Sequence, residues 1–83
     1  MKQTKTITWK QFNRRNRYHI ALLPWHESMQ DIYVDQDSGE IILKRETETD
    51  IQYLIIGQTE NTSNIVKDAT IMVENMFENV ILD

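Results

Sequence analysis

The most constraining feature of the chain is its C-terminal segment, TSNIVKDATIMVENMFENVILD, residues 62–83. Its apolar residues recur at spacings of three and four, which is the repeat of an α-helix. They are Val66, Ala69, Val73, Met76 and Val80. The segment is therefore predicted to form an amphipathic helix, capped by Thr62 or Ser63, whose apolar face packs on a sheet.

Four shorter apolar runs precede this helix, and charged or turn-forming residues separate them. The runs cover residues 18–25, 31–35, 40–45 and 51–57. The second and third runs are joined by QDSG, in which Asp and Ser favour a turn and Gly39 supplies a positive φ. Connections this short join antiparallel neighbours, so the four runs predict an antiparallel meander.

Helix-start signals lie near the N-terminus. Thr8 and Gln11 have the spacing of a capping box, and Ile7 and Phe12 have the spacing of a hydrophobic staple. Because the two signals agree on the same starting point, they predict a short helix over residues 9–15.

The whole chain, residues 1–83, is predicted to be one small two-layer α+β domain. A short N-terminal helix precedes a four-stranded antiparallel meander, and the C-terminal amphipathic helix packs on one face of the sheet. Trp9 and Phe12 are three residues apart, so they are expected to form the buried face of the short helix.

The second face of the sheet is also expected to be apolar, because the strands alternate with period two. One helix covers one face of a four-stranded sheet, so the short helix, another copy of the chain or a partner has to cover the other. A homodimer is therefore predicted. The candidate self-association residues are Leu23, Tyr33, Ile42, Leu54 and Ile56 from the second face, and Ile71 from the polar side of the last helix.

The charge of the chain is strongly polarised. Residues 1–19 carry +6 and residues 20–83 carry −10, which gives the net charge of −4. A basic segment of this kind is a candidate for contact with nucleic acid or with an acidic partner. The candidate residues are Lys10, Arg14, Arg15 and Arg17. The alternative is that the segment complements the acidic surface of the protein itself or of a neighbouring copy.

The acidic part of the chain is the candidate protein-binding surface. A continuous negative surface competes with nucleic acid for a basic partner and speeds association through charge. The alternative is an ordinary solvated surface whose charges protect strand edges. The candidate residues are Asp35, Asp37, Glu40, Glu46, Glu48, Asp50, Glu74 and Glu78.

Residue types needed for catalysis or cofactor binding are scarce. The chain has no cysteine and only two glycines, so it lacks thiolate chemistry and a glycine-rich phosphate loop. His19 and His26 do not have the spacing of metal ligands. No cofactor, no metal and no catalytic activity are predicted.

The chain shows no membrane or export signal. No apolar run approaches the roughly 18 residues of a membrane span, and no apolar segment follows the basic start as in a signal peptide. The protein is therefore expected to be cytoplasmic and not bound to a membrane.

The leading hypothesis is a small non-catalytic binding protein that inhibits or modulates a macromolecular partner. Short length, acidity and the lack of motifs are typical of such proteins from phages and other mobile elements. The alternative is a nucleic-acid-binding module that uses the basic segment 2–17.

Overall fold

The computed structural model describes residues 5–25, 28–60, 63–77 and 80–82. These residues form one antiparallel sheet and two helices. The elements in chain order are β1 (Lys5–Ile7), α1 (Trp9–Asn13), β2 (Arg17–Trp25), β3 (Ser28–Asp35), β4 (Glu40–Glu46), β5 (Ile51–Gln58), α2 (Ile65–Met76) and β6 (Ile81–Leu82). Across the sheet the strands lie in the order β1-β5-β4-β3-β2-β6.

The α+β class, the antiparallel sheet and the C-terminal helix are confirmed. The prediction of four strands is incomplete, because the described residues form six. Strands β2 to β5 are the predicted meander. Strand β1 adds to β5, with Lys5 opposite Ile55, and β6 adds to β2, with Leu82 opposite Ala21. Strands of two or three residues are too short to show a period, so only their pairing reveals them.

The first helix starts as predicted. The Thr8 hydroxyl accepts a hydrogen bond from the Gln11 amide at 3.1 Å, and the Gln11 side-chain oxygen accepts one from the Thr8 amide at 2.9 Å. The staple residues Ile7 and Phe12 lie in one buried cluster. Helix α1 ends at Asn13, two residues earlier than predicted.

The second helix is shorter than its apolar repeat predicts. It ends at Met76 because Phe77 takes an extended backbone conformation, with φ −130° and ψ 135°. The chain then forms β6 on the exposed edge of β2, where the backbone gains strand hydrogen bonds instead of helical ones. The N-cap is Asn64, not Ser63; Thr62 lies outside the described residues.

Two apolar clusters lie on opposite faces of the sheet. The larger cluster packs beneath α2 and includes Ile32, Val34 and Val73. The smaller cluster packs beneath α1, where Phe12 stacks on Tyr53 with ring centroids 4.4 Å apart. The short N-terminal helix therefore covers part of the second face within the same chain.

The candidate self-association residues do not share one face. Because Ile20 forms a bulge in β2, the alternation shifts and Leu23 packs beneath α2. The register of β5 also places Leu54 and Ile56 in the cluster beneath α2. Tyr33 and Ile42 lie in the cluster beneath α1, and Ile71 is exposed on α2. The predicted grouping of the first five residues on one uncovered face is wrong, while the homodimer stays a prediction.

The turn between β3 and β4 depends on a glycine. Gly39 has φ +80°, and a Cβ at this position would collide with the Thr59 hydroxyl. We expect Gly39→Ala to lower the free energy of unfolding by about 1–3 kcal/mol, measured by urea denaturation.

Gly57→Ala is the matched control for this prediction. The φ of Gly57 lies outside the left-handed region, and an added Cβ would meet the flexible end of Met76 at 3.0 Å. The loss of stability is therefore expected to be smaller. Equal losses for the two variants would contradict the role given to the positive φ of Gly39.

Candidate protein-binding site

A groove lies between α1 and the loop that joins β4 to β5. It has a volume of about 540 Å³. Apolar residues, acidic residues and two threonines line it. The lining residues are Trp9, Glu46, Thr47, Glu48, Thr49, Asp50, Ile51 and Tyr53.

An exposed indole forms one side of the groove. Trp9 is 58% exposed, whereas Phe12 on the same helix is 6% exposed. The prediction that both residues are buried is confirmed for Phe12 and wrong for Trp9. A helix of five residues places one aromatic ring over Tyr53, and Trp9, at the first helical position, remains open to solvent.

The β4–β5 loop is held by its own hydrogen bonds. The Thr47 amide donates to the Asp50 carbonyl at 2.9 Å, and the Asp50 amide donates to the Thr47 hydroxyl at 3.2 Å. The Ile51 amide donates to Asp50 Oδ1 at 2.8 Å. These bonds fix the loop before any partner arrives, which reduces the entropy lost on binding.

Three acidic residues lie in or next to this loop, and all are exposed. Glu46 stands opposite Ile51 in the strand register, and Glu48 and Asp50 belong to the loop itself. Within the described part of the chain, no lysine, arginine or histidine forms an ion pair with any of the three. The groove therefore combines apolar side chains with carboxylates that form no ion pair with a described residue.

The acidic residues at the other end of β4 are engaged within the chain. Arg15 Nη1 contacts Asp35 Oδ2 at 3.2 Å and also contacts Glu40 Oε1. Asp35 is only 5% exposed, and Asn16 reaches Asp37 at 3.5 Å. These carboxylates stabilise the contact between the basic segment and the β3–β4 turn.

The structure thus does not bring the predicted acidic surface together. The residues of the β4–β5 loop lie at the groove, and those of the β3–β4 turn lie at the opposite end of β4. Glu74 is exposed on α2, and Glu78 lies outside the described residues.

The basic candidates also have different roles. Besides the Arg15 ion pairs, the Arg17 guanidinium lies 4.3 Å from the Phe12 ring centroid. Lys10 and Arg14 are exposed, and neither forms a salt bridge with another described residue. The Arg15 contacts support the alternative in which the basic segment complements the protein's own acidic surface.

One histidine lies in a polar contact on the sheet. His19 Nε2 is 3.0 Å from Asp31 Oδ1, and the His19 ring is edge-on to Tyr33 at 5.1 Å. Burial, and after it the Asp31 carboxylate, raise the pKa of Tyr33 above its ordinary value, so this phenol stays protonated at neutral pH. His26 lies outside the described residues. In the described ranges, no group of three acidic, histidine or cysteine side chains is placed to hold a metal ion.

Neither helix of the described residues is long and apolar enough to cross a membrane. The sequence matches no protein-family model, and comparison with the curated proteins and with the solved structures gives no significant match.

Sequence reasoning identified the loop acids but missed the groove. The sequence predicts a buried Trp9, and the loop is about forty residues away from it in the chain. The two come together because β1 pairs with β5, which sets Ile7 opposite Tyr53 and places α1 next to the loop. No local pattern in the sequence signals this pairing.

Proposed function

We propose that the protein is a small non-catalytic binding protein that occupies a protein partner through the groove and so inhibits or modulates it. The observation that carries the proposal is the exposed Trp9 indole beside a fixed loop whose carboxylates lack a cation among the described residues.

The apolar part of the groove supports binding to a protein. Tryptophan is among the residues that contribute most to protein interfaces, particularly when it sits at a pocket. Trp9 and Ile51 are both large, exposed and on the wall of the same groove. Together they offer apolar area that a partner removes from water.

The basic segment gives less support to nucleic-acid binding. Arg15 is already engaged with two carboxylates, and Arg17 lies over Phe12. Among the described residues of the segment, Lys5, Lys10 and Arg14 are exposed and form no salt bridge, and three such contacts release about three counterions. This small number favours the groove as the principal binding surface.

Charge reversal at the groove tests the proposal. The Glu46→Lys/Glu48→Lys variant is used as bait for affinity capture from the source cells, with recovered proteins quantified against wild-type bait. Because like charges across an interface cost several kcal/mol, we expect the partner to be recovered at least about tenfold less. Both residues are exposed, so the variant is expected to remain folded.

The matched control is Glu60→Lys/Glu74→Lys, which makes the same change in net charge away from the groove. It is expected to recover the partner as the wild type does. Equal recovery by the groove variant and the wild type would remove the groove from the binding surface.

A further inference from the structure

We infer that the groove recognises a basic side chain, arginine or lysine, that projects from an apolar segment of the partner protein. The inference rests on the proposed function and specifies the chemistry of the contact: the cation lies against the Trp9 indole and faces the loop carboxylates.

The charge of the groove selects a cation. Glu46, Glu48 and Asp50 line the groove, none of its described lining residues is basic, and no described lysine, arginine or histidine forms an ion pair with any of the three. A phosphate group or an acidic peptide would be repelled by the same three carboxylates. An incoming arginine or lysine would instead form charge-assisted hydrogen bonds with them.

The apolar residues of the groove suit the rest of such a side chain. The face of an indole attracts a cation, and it does so better than the other aromatic rings. Ile51, which is 45% exposed, adds apolar surface for the methylene groups that carry the charge of lysine or arginine. A long basic side chain therefore matches both the apolar and the acidic residues of the groove.

Within the chain, arginine side chains already contact both carboxylates and an aromatic ring. Arg15 contacts the two carboxylates of Asp35 and Glu40, and the Arg17 guanidinium lies over the ring of Phe12. At that end of β4 the chain supplies both the cations and their partners. At the groove, the described residues supply the carboxylates and the aromatic ring, and the cation is left to the partner.

Defined peptides test the inference without knowledge of the partner. The probe is an acetylated, amidated pentapeptide of alternating leucine and arginine. Its control has citrulline, which has a similar shape without the charge, in place of each arginine. Binding is followed by two-dimensional ¹H–¹⁵N NMR of the intact chain, in which the Trp9 indole N–H and the amides of residues 47–51 report on the groove.

We expect the arginine peptide to shift these groove signals and the citrulline peptide to bind at least about tenfold more weakly. Trp9→Leu retains apolar area but loses the aromatic face, so affinity is expected to fall about three- to fivefold. The Glu46→Lys/Glu48→Lys variant is expected to lose binding, and Glu60→Lys/Glu74→Lys is expected to retain it. The amide spectrum of each variant also confirms that it is folded.

Two results would overturn the inference. Equal binding of the arginine and citrulline peptides would mean that the groove takes apolar segments without regard to charge. No shift of the groove signals by the arginine peptide would exclude a cation site at this position. Neither result decides the proposed function, which the partner-capture experiment tests separately. The proposed function is contradicted if the Glu46→Lys/Glu48→Lys variant captures the partner as well as the wild type does.

Discussion

Replacing Phe12 with alanine is expected to lower the free energy of unfolding by about 3–5 kcal/mol. The ring stacks on Tyr53 at 4.4 Å, meets Tyr33 edge-on at 5.3 Å and lies beneath Arg17. Its removal leaves a cavity between α1 and the sheet. Small domains have a total stability of about 5–15 kcal/mol, so this single change removes a large part of the stability.

Urea denaturation followed by circular dichroism measures the effect of Phe12→Ala. Trp9→Ala is the control on the same helix, and because Trp9 is mostly exposed we expect a loss below about 1 kcal/mol. If Phe12→Ala is unfolded in buffer, Phe12→Leu keeps much of the apolar volume and is expected to lose about 1–2 kcal/mol. Losses for Phe12→Ala no larger than those for Trp9→Ala would show that α1 does not hold the second face.

Replacing Arg15 with methionine is expected to lower the free energy of unfolding by about 2–4 kcal/mol. The change leaves the nearly buried carboxylate of Asp35 next to that of Glu40 without their shared cation. This loss of stability is expected to be smaller than for a fully buried ion pair, because the Glu40 side chain is a quarter exposed and water solvates part of its charge.

A rescue variant separates the charge effect from packing. Arg15→Met is combined with Asp35→Asn and Glu40→Gln, which removes the uncompensated charges and keeps an oxygen that accepts the Asp37 amide. Much of the lost stability is expected to return, because replacing a buried ion pair as a whole costs far less than breaking it. A variant as unstable as Arg15→Met alone would attribute the loss to the arginine stem rather than to charge.

The elements that the sequence predicts are those encoded by near neighbours. The capping-box residues Thr8 and Gln11 are three positions apart, and the β3–β4 turn at Gly39 is equally local. Both are confirmed because the atoms that define them belong to one short stretch of chain. The four long strands are found for the same reason, since each is bounded by its own turn residues.

The features that the sequence does not predict depend on distant partners. The bulge at Ile20 exists only in relation to the register of β3, and it determines which face Leu23 occupies. Each of the two loops is flanked by three acids, yet only tertiary structure shows that Arg15 pairs with those of the β3–β4 turn. The candidate groove was missed because its two walls come from distant segments.

The strand order has a consequence for how the domain folds. The central pairings join strands that follow one another along the chain. By contrast, β1 pairs with β5 and β6 pairs with β2, and in each case more than half of the chain separates the paired strands. Pairings between distant segments cost more loop-closure entropy, so the β2–β5 meander is expected to nucleate folding and the two edge strands to dock last. In the native state we expect the same edges to open first, so that their amide hydrogens exchange with solvent through local fraying. The amide hydrogens of β3 and β4 are expected to exchange only through global unfolding. Because α1 follows β1 directly, we expect opening of that edge to loosen the Trp9 side of the groove and a ligand bound there to slow hydrogen exchange at the N-terminal edge of the sheet.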